Sequence, residues 1–593
     1  MTTLMSAKKP QMALMALLII LSTLLAACGD STATTAPQSA TTAAAGAATT
    51  AAAGAATTAA AGAATTAAAG AAAASGPAVK INVFSPQFPD QDLATNAFSK
   101  EISQKFNIQF NWQTTTLDGG PAKEKRQISL ASGDYPDLYL LIPWVDQFTQ
   151  ADLLKFSKQG IVLPLNDLIK QYAPNIQATL DKNSNYKAMA TAPDGKIYGL
   201  PQLVECYHCT YQGKLWMNSD WLKKLNLKQP TTTEEMKAVL TAFKTKDPNG
   251  NGKADEIPLS ADVRDVLIPY FMNSFIYDPQ GTSGNNQSTL VLNNGKVEIQ
   301  ANKDGWKQGL AFIRSLYEAG LIDQGAFTQN ADALKKLGDN AGTVILGSAT
   351  VLHPYIFVTG GSPDGRDKQY DAVPPLKGPT GLAHTGYNFP AAPGATFVLT
   401  NKASKEVQVA AIKMLDYIFT TEGEIKGVFG TDERTVVKPG PNDIPLEQGA
   451  TPLYKQVQRP TGVPAYNTNW SALAQYNNNA AFRAAEAVPT DIYSREGYER
   501  RLYDATKLYE GKEDKSLIYP YWGVWIDPAL GSEVATLQTN IENYVAQNSL
   551  QFITGSKSLD KDWDSYVKGL DQLGLKRYLE IQQQAFDKSS YKK

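Results

Sequence analysis

The chain has 593 residues, and its 55 Lys and Arg residues nearly balance 57 Asp and Glu residues, which leaves a formal net charge of −2. Without a concentrated positive charge, nucleic acid and anionic surfaces are not expected as partners. The stretch from Pro77 onward carries Trp, Tyr and Phe throughout and exceeds the size of a single-core domain, so two or more lobes are expected.

The first residues indicate export. Lys8 and Lys9 precede an uncharged apolar run over residues 12–27, which is typical of a cleaved signal peptide rather than a membrane span. The run ends in Leu-Ala-Ala-Cys, which resembles the lipobox of bacterial lipoproteins, in which the Cys is lipidated and the chain is cut before it. We therefore expect residues 1–27 to be a signal peptide and Cys28 to anchor the protein to the extracytoplasmic face of the cell membrane. A plain secretory signal with an incidental Cys is the alternative.

Residues 28–76 contain four copies of the octad TTAAAGAA, which begin at Thr41, Thr49, Thr57 and Thr65. The repeats carry no aromatic or charged residue, so they have little to bury against the entropy of ordering. A Gly and a Thr pair in each octad also weaken helix formation. We expect a disordered stalk that holds the next segment away from the membrane.

The segment after the stalk predicts a parallel α/β unit. Residues 79–84 and 108–112 read as strands, and 138–142 as a buried apolar strand. A helix with Ala94, Phe98, Ile102 and Phe106 on one face separates the first two, and a Lys-rich helix ending at Leu130 separates the last two. Ligands of such sheets lie beyond the carboxyl ends of the strands.

Further elements follow in a mixed order. Residues 215–218 read as a strand before a helix, and Thr232 with Glu235 forms a capping box for a helix that reaches Phe243. Buried strands are expected at 343–346 and 396–400. The last third is rich in helix, with amphipathic stretches at 533–544 and 563–584.

Two cysteines follow Cys28 in the sequence, as Cys206-Tyr207-His208-Cys209. Outside the cell this spacing can form a local disulfide, or the thiols can stay free. A zinc site would need further ligands, and the chain has three His residues.

Residues 247–256 read DPNGNGKADE. Side-chain oxygen atoms at the first, third and fifth positions and a Gly at the sixth are the pattern of an EF-hand-type calcium loop. The twelfth position departs from that pattern, because it is Pro258 rather than Glu. A polar turn capped by its own side chains is the alternative.

The order of motifs resembles the extracellular solute-binding lipoproteins of ABC importers, of the large sugar-binding type. The resemblance covers nearly everything after the stalk. Its motifs are LASGDYPD at 130–137, DGKIYGLP at 194–201, MNSDWLKKL at 217–225, FITG at 552–555, DWDSYV at 562–567 and LGL at 573–575. It implies an α/β, two-lobed periplasmic-binding-protein fold of type II, with a helix-rich second lobe and the ligand between the lobes.

The resemblance also implies where the chain crosses between the lobes, near residues 202–205, 348–355 and 400–404. We therefore expect lobe 1 to comprise residues 77–203 with 352–400, and lobe 2 to comprise residues 204–351 with 401–593. Closure would follow ligand binding, because only the closed form contacts the ligand from both sides.

The loop at 247–256 is similar to one in the alginate-binding members of this family. Carried over by position, the ligands of a structural Ca²⁺ would be Asp247, Asn249, Asn251, the Lys253 carbonyl, Asp255 and Glu256. Three carboxylates so close together would repel one another without a cation.

Sugar rings lie with their apolar faces on aromatic side chains, while their hydroxyl groups need polar partners. Candidates near strand ends and crossings are Trp144, Gln202, Tyr207, Trp216, Arg264, His353, Tyr355, Tyr387, Asn388 and Trp470. Each aromatic among them has packing in a core as its alternative role. Trp221 and Trp563 are assigned to packing.

The leading hypothesis is a monomeric, lipid-anchored receptor, not an enzyme, that captures an oligosaccharide and delivers it to an ABC permease. Sequence templates for serine hydrolases, zinc peptidases and phosphate-binding loops are missing. An exported glycan-active hydrolase and a surface adhesion or sensory protein are the alternatives, since fold does not fix function.

Overall fold

The computed structural model describes residues 76–263, 267–279, 289–389, 393–460 and 462–592; the expected signal peptide, Cys28 and nearly all of the expected stalk lie outside them. The strands are β1 (Val79–Pro86), β2 (Ile108–Thr115), β3 (Leu138–Leu140), β4 (Leu215–Asn218), β5 (Ser260–Ala261), β6 (Leu290–Asn293), β7 (Lys296–Ile299), β8 (Ser348–Thr350), β9 (Tyr370–Val373), β10 (Phe397–Leu399), β11 (Val436–Val437) and β12 (Lys455–Gln456).

The α-helices are α1 (Ala97–Phe106), α2 (Gly119–Ser132), α3 (Gln150–Lys158), α4 (Asn166–Tyr172), α5 (Pro174–Lys182), α6 (Ser184–Ala190), α7 (Tyr207–Thr210), α8 (Ser219–Lys224), α9 (Thr233–Thr245), α10 (Leu267–Met272), α11 (Asp304–Glu318), α12 (Ala331–Gly338), α13 (Lys405–Ile418), α14 (Thr421–Val428), α15 (Ala480–Ala484), α16 (Tyr498–Lys507), α17 (Gly531–Thr554), α18 (Trp563–Gln572) and α19 (Leu575–Asp587). Short 3-10 helices lie at Gln324–Phe327, Pro354–Ile356, Arg366–Gln369, Ser471–Ala474, Tyr521–Gly523 and Pro528–Leu530.

The first sheet has the strand order β10-β3-β1-β2. β1 runs parallel to both neighbours, with Val83 opposite Trp112 on β2 and opposite Leu138 on β3. β10 closes the sheet as an antiparallel edge strand. The parallel α/β unit predicted from the sequence is therefore confirmed, and the carboxyl ends of β1, β2 and β3 share one edge.

Helix α1 begins after the first residue of the predicted apolar face. The Asn96 side chain accepts the N–H groups of Phe98 and Ser99 and so caps the helix at that point. Ala94 lies before the cap, in a turn where its N–H donates to the Asp92 side chain. The predicted face still points inward, because Phe98 and Ile102 are buried beneath the first sheet.

The second sheet has the order β5-β8-β4-β9, with β4 antiparallel to β8 and β9. The strand predicted at 343–346 is wrong: β8 begins at Ser348, and Leu346 forms a single bridge with Ile257. Gly347 separates the two. A Cβ there would lie 2.7 Å from the Phe243 ring, so the chain passes helix α9 where no side chain fits.

The pairing of strands and helices differs from the predicted division of the lobes. β9 was expected in lobe 1, but it pairs with β4 in the second sheet. Helix α13 was expected in lobe 2, but Ile412 and Leu415 pack into the core beneath the first sheet, together with Trp470. Lobe membership follows these long-range contacts, which the positions of the crossings along the chain do not reveal.

Each sheet has a large apolar core on it. One core joins the first sheet to α4, α5 and α13, and the other joins the second sheet to α9, α11 and the C-terminal helices α17 to α19. Trp221 and Trp563, assigned to packing, are both buried in the second core. The Trp221 ring meets Phe243 edge-on, with the ring centres 5.2 Å apart.

Replacing Trp221 with Ala should lower the free energy of unfolding by about 3–5 kcal/mol, because it leaves a cavity where a large ring was packed. Trp144→Ala is the control: its ring is exposed, and the change should be within about 0.5 kcal/mol. Urea unfolding followed by circular dichroism measures both variants. Equal losses would contradict the assignment of Trp221 to the core.

Candidate functional site

An aromatic pair occupies the carboxyl edge of the first sheet. Phe88 follows the end of β1, and Trp144 follows β3 after a short buried run. The two rings meet edge-on, with their centres 6.3 Å apart, and 58% of Trp144 is exposed. Trp144 thus lies where the sequence placed it, whereas Phe88 was missed. The sequence could have indicated Phe88, because it follows Ser85-Pro86 at the end of the predicted strand.

A buried ion pair fixes the loop that carries the exposed indole. The Arg126 guanidinium donates to both carboxylate oxygens of Asp146, at 2.6 Å and 3.0 Å, and to the backbone carbonyl of Gln147 at 3.1 Å. At the start of α2 a Cβ on Gly119 would lie 2.7 Å from the Val145 carbonyl oxygen, so helix and loop are in close contact. The loop is therefore held from two sides.

The corresponding edge of the second sheet carries a histidine and two stacked tyrosines. β8 ends at Thr350, and His353 and Tyr355 follow it. The Tyr498 hydroxyl lies 2.9 Å from His353 Nδ1, and the ring of Tyr498 stacks on Tyr355 at 3.8 Å. The structure brings the two predicted residues together through Tyr498, which sequence reasoning missed. Arg264, another of the predicted ligand contacts, lies outside the described residues.

Tyr387 and Asn388 lie beside the crossing that leads from β9 to β10. The Asn388 N–H donates to the Thr210 carbonyl at 2.8 Å, and the Tyr387 ring packs on Tyr211 at 6.2 Å. Burial, together with the nearby Glu513 carboxylate, raises the pKa of Tyr387 to about 12. The Tyr387 phenol is therefore neutral at physiological pH and can both donate and accept hydrogen bonds.

Three of the predicted ligand contacts are core residues, which corrects the prediction. Trp216 is 1% exposed and donates its indole N–H to the Val351 carbonyl; Trp470 is 0% exposed and donates to the Ser99 hydroxyl. Gln202 is also buried and donates to a backbone carbonyl at 2.6 Å. These contacts hold all three side chains inside the protein, although Gln202 Oε1 has no hydrogen-bond partner among the described residues.

Cys206 and Cys209 form a disulfide bond, so the alternative of free thiols is excluded in this structure. The bond closes one turn of helix, α7, directly after the crossing at 202–205. Tyr207 lies in that turn, with its ring centre 4.9 Å from that of Tyr503, and Lys507 lies over both rings. Tyr207 is thus placed by helix α16.

Charged groups surround this turn. His208 Nδ1 lies 3.0 Å from a carboxylate oxygen of Glu499, which the Arg483 guanidinium contacts at 3.1 Å. Burial alone would raise the pKa of Glu499, but the positive charges of His208 and Arg483 outweigh it and hold the pKa at about 2. Glu499 therefore stays ionised and keeps helix α16 attached to the turn.

Lys214 lies at the start of β4 with no exposed surface. Its ammonium donates to the carbonyls of His208, at 2.9 Å, and Tyr211. Burial lowers the pKa of Lys214 to about 7. Carbonyl oxygens therefore replace only part of the hydration that the charged form loses.

The loop at residues 247–256 brings its predicted ligand residues together. Asp247 accepts the N–H groups of Gly250 and Asn251 at 2.9 Å and 3.1 Å. The side-chain amides of Asn249 and Asn251 both reach Asp255 Oδ1, at 2.9 Å and 3.1 Å. Asn249 Oδ1 also accepts the Asn251 N–H at 3.0 Å, so the side chains and the backbone of the loop hold one another in place.

Glu256 completes this group. Its Oε1 atom is buried and has no hydrogen-bond partner among the described residues. Burial, followed by the negative charges of Asp247 and Asp255, raises the pKa of Glu256. A carboxylate oxygen without a hydrogen-bond partner, surrounded by other side-chain oxygen atoms, fits a hard cation such as Ca²⁺. The Lys253 N–H donates to Asn251 Oδ1 at 2.8 Å, which fixes the turn that carries its own carbonyl.

The chain belongs to the bacterial extracellular solute-binding protein family, whose model matches residues 86–425. Among curated proteins it is similar to the fructooligosaccharide ABC transporter substrate-binding protein FusA of Streptococcus pneumoniae. The two are 28% identical over 517 residues, which is 85% of this chain and 88% of FusA.

Solved structures give the same fold. An EF-hand mutant of S. pneumoniae FusA in complex with fructo-nystose is 26% identical, with a TM-score of 0.62 over 86% of this chain and 99% of that one. An extracellular solute-binding protein of Bifidobacterium longum subsp. infantis is 20% identical, with a TM-score of 0.68 over 87% of this chain and 99% of that one. The predicted two-lobed periplasmic-binding-protein fold is confirmed. No helix in the part of the chain described here has the length and apolar character needed to cross a membrane.

The unfolding free energy should rise with pH between about 7 and 10 because of Lys214. Its folded pKa is about 7 and its ordinary value is 10.5, so in this window the unfolded chain binds more protons. In the wild type the contribution of Lys214 to this slope should approach about 1.4 kcal/mol per pH unit. That contribution should be absent in Lys214→Met. Denaturant titrations at several pH values measure it, and the exposed Lys228→Met is the control. If the free energy of unfolding of both variants depends on pH in the same way, Lys214 does not have a lowered pKa in the folded protein.

Proposed function

We propose that this protein is the substrate-binding component of an ABC importer, and that it captures an oligosaccharide between its lobes for delivery to a membrane permease. The observation that carries this proposal is the exposed Trp144 indole, held at the carboxyl edge of the first sheet by Phe88 and by the Arg126–Asp146 pair. An exposed, immobilised aromatic face matches the apolar face of a sugar ring. Similarity to FusA supports the choice of oligosaccharide.

The second lobe would supply the polar contacts. His353, Tyr355, Tyr387, Asn388 and Tyr207 remain candidates for them, and Arg264 is a candidate on its sequence position. Uncharged tyrosine hydroxyls and a histidine provide both donors and acceptors for sugar hydroxyl groups. A ligand that touches Trp144 on one lobe and these groups on the other would favour the closed form.

The N-terminal segment would tether this receptor. We propose that residues 1–27 are removed as a signal peptide, that Cys28 is lipidated, and that residues 28–76 serve as a stalk on the outer face of the membrane. A tether of this kind keeps a monomeric receptor at high local concentration beside its permease.

We also propose that residues 247–256 hold a structural Ca²⁺. Asp247, Asn249, Asn251, the Lys253 carbonyl, Asp255 and Glu256 would bind it. The ion would neutralise the three carboxylates and tie helix α9 to the segment that leads into the second sheet. The EF-hand named for the FusA structure supports a loop of this type.

Trp144→Ala should weaken binding of a fructooligosaccharide by about 2- to 10-fold, because one aromatic stacking contact is worth roughly 0.5–1.5 kcal/mol. Ile128→Ala is the matched control, since Ile128 is equally exposed, at 59%, on the neighbouring helix α2. Isothermal titration calorimetry measures both. If the two variants bind like the wild type, Trp144 does not contact the ligand.

The same titrations with gluco-, galacto- and fructooligosaccharides test the function itself. One-to-one binding with intact sugar recovered by chromatography supports a receptor. Release of shorter sugars would instead favour the exported hydrolase, and no binding by any sugar would overturn the proposal.

Glu256→Gln should shift the thermal unfolding midpoint in opposite directions with and without calcium. In EDTA the variant should unfold at a higher temperature than the wild type, because it removes the negative charge of a partly buried carboxylate whose Oε1 atom has no hydrogen-bond partner among the described residues. With Ca²⁺ in excess it should unfold at a lower temperature, because a ligand of the ion is lost. Differential scanning fluorimetry measures both, with Glu234→Gln on helix α9 as the control. If Ca²⁺ does not change the unfolding midpoint of the wild type, the proposal of a calcium site is wrong.

A further inference from the structure

An aromatic strap connects the two lobes in addition to the covalent crossings. It comprises residues 519–525, Tyr-Pro-Tyr-Trp-Gly-Val-Trp. Just before it, Ile518 bridges to Val291 on β6. Tyr519 donates its hydroxyl to Gln582 on α19 at 2.9 Å. The strap thus starts in the second lobe, and the chain returns to that lobe in helix α17.

The middle of the strap is buried against the first lobe. Trp522 packs into the core of the first sheet, and its carbonyl accepts the Gln150 side-chain amide at 3.2 Å. Trp525 donates its indole N–H to the Ala188 carbonyl on α6, also at 3.2 Å. Trp522 and Trp525 are each less than a tenth exposed.

The strap also touches a crossing and the C-terminal end of the described chain. The Trp522 ring stacks on Phe389, which precedes β10, with ring centres 4.0 Å apart. Its indole N–H donates to the Tyr591 hydroxyl at 2.9 Å, and that hydroxyl donates to Asn185 on α6 at 2.8 Å. A Cβ on Gly523 would overlap the Tyr591 ring, so this close approach requires glycine.

We propose that Trp522, Gly523 and Tyr591 are positioning residues for ligand capture, because they restrict the rotation of one lobe against the other. This inference rests on the proposed function. The strap packs against a crossing, so its contacts lie near the axis about which the lobes turn and can persist as they close. A joint there reduces the orientational freedom that closure would otherwise remove, and so raises the affinity of a ligand that bridges both lobes.

The structure offers a matched pair of substitutions. Tyr591→Phe removes the hydroxyl that connects the strap with Asn185 on the first lobe. Tyr519→Phe removes a more deeply buried hydrogen bond of the same strap, but one made within the second lobe. Both should lower the thermal midpoint, because each removes hydrogen bonds of a hydroxyl, whereas only the first loosens the contact between the lobes.

The test measures affinity and local opening in the full chain. Tyr591→Phe should raise the Kd for a fructooligosaccharide about 2- to 10-fold, the range for the one hydrogen bond, to Asn185, by which its hydroxyl reaches the first lobe. In the absence of sugar it should speed hydrogen exchange of the Glu205 amide, which pairs with the Asn478 carbonyl at the first crossing. Tyr519→Phe should leave both values at the wild-type level.

The inference is overturned if the two variants change the Kd and the exchange rate equally, or if neither changes them. Hydrogen exchange needs no ligand, so it separates this outcome from failure of the proposed function. If the wild type binds no sugar but Tyr591→Phe alone speeds hydrogen exchange at Glu205, the proposed role of the strap is supported and the proposed ligand is wrong.

Discussion

The backbone pairing of the crossing segments governs how the rest of the molecule is arranged. Leu200 exchanges hydrogen bonds with Phe397, and the Glu205 N–H donates to Asn478. These bonds hold together parts of the chain that are nearly two hundred residues or more apart. Each lobe has its own core, and the rings of Tyr387, Tyr521 and Tyr591 pack against both cores. The site between the lobes depends on these backbone bonds together with the aromatic strap at residues 519–525, because the residues expected to face a ligand come from both sheets.

Several buried charges lie close to the loops that form the candidate site. Arg126 and Asp146 hold the Trp144 loop, while Glu499, His208 and Lys214 hold the turn after the first crossing. A buried ion pair contributes little net stability, since desolvation offsets much of its Coulombic attraction. The pair matters more for the orientation of the loop than for stability, because a bidentate hydrogen bond between a guanidinium and a carboxylate allows one orientation. The same balance applies to Lys214: the cost of its burial is largest below about pH 7 and falls as the pH rises towards 10, although its carbonyl partners define the turn.

The strands of the first sheet could be predicted because they are local: each is an apolar run bounded by turn residues, and the parallel order follows from the helices between them. The position of Trp144 at the carboxyl edge of this sheet followed from the same reasoning. Trp216 and Trp470 could not be assigned correctly, because their burial depends on β8, β9 and α1, which lie far away in sequence. Lobe membership of β9 and α13 failed for the same reason. The stacking of Tyr498 on Tyr355 joins residues more than a hundred positions apart, and no local pattern marks it.

The position of β1 determines how a pull on the N-terminus would act on the protein. The described chain starts at Gly76, whose carbonyl accepts the Asn107 side chain, and it enters β1 three residues later. β1 is an interior strand with parallel neighbours on both sides. A tension applied along it would load its hydrogen bonds in shear, all together, rather than opening them one after another as at a frayed edge. The second lobe would carry none of that load directly, because every path to it runs through the first lobe.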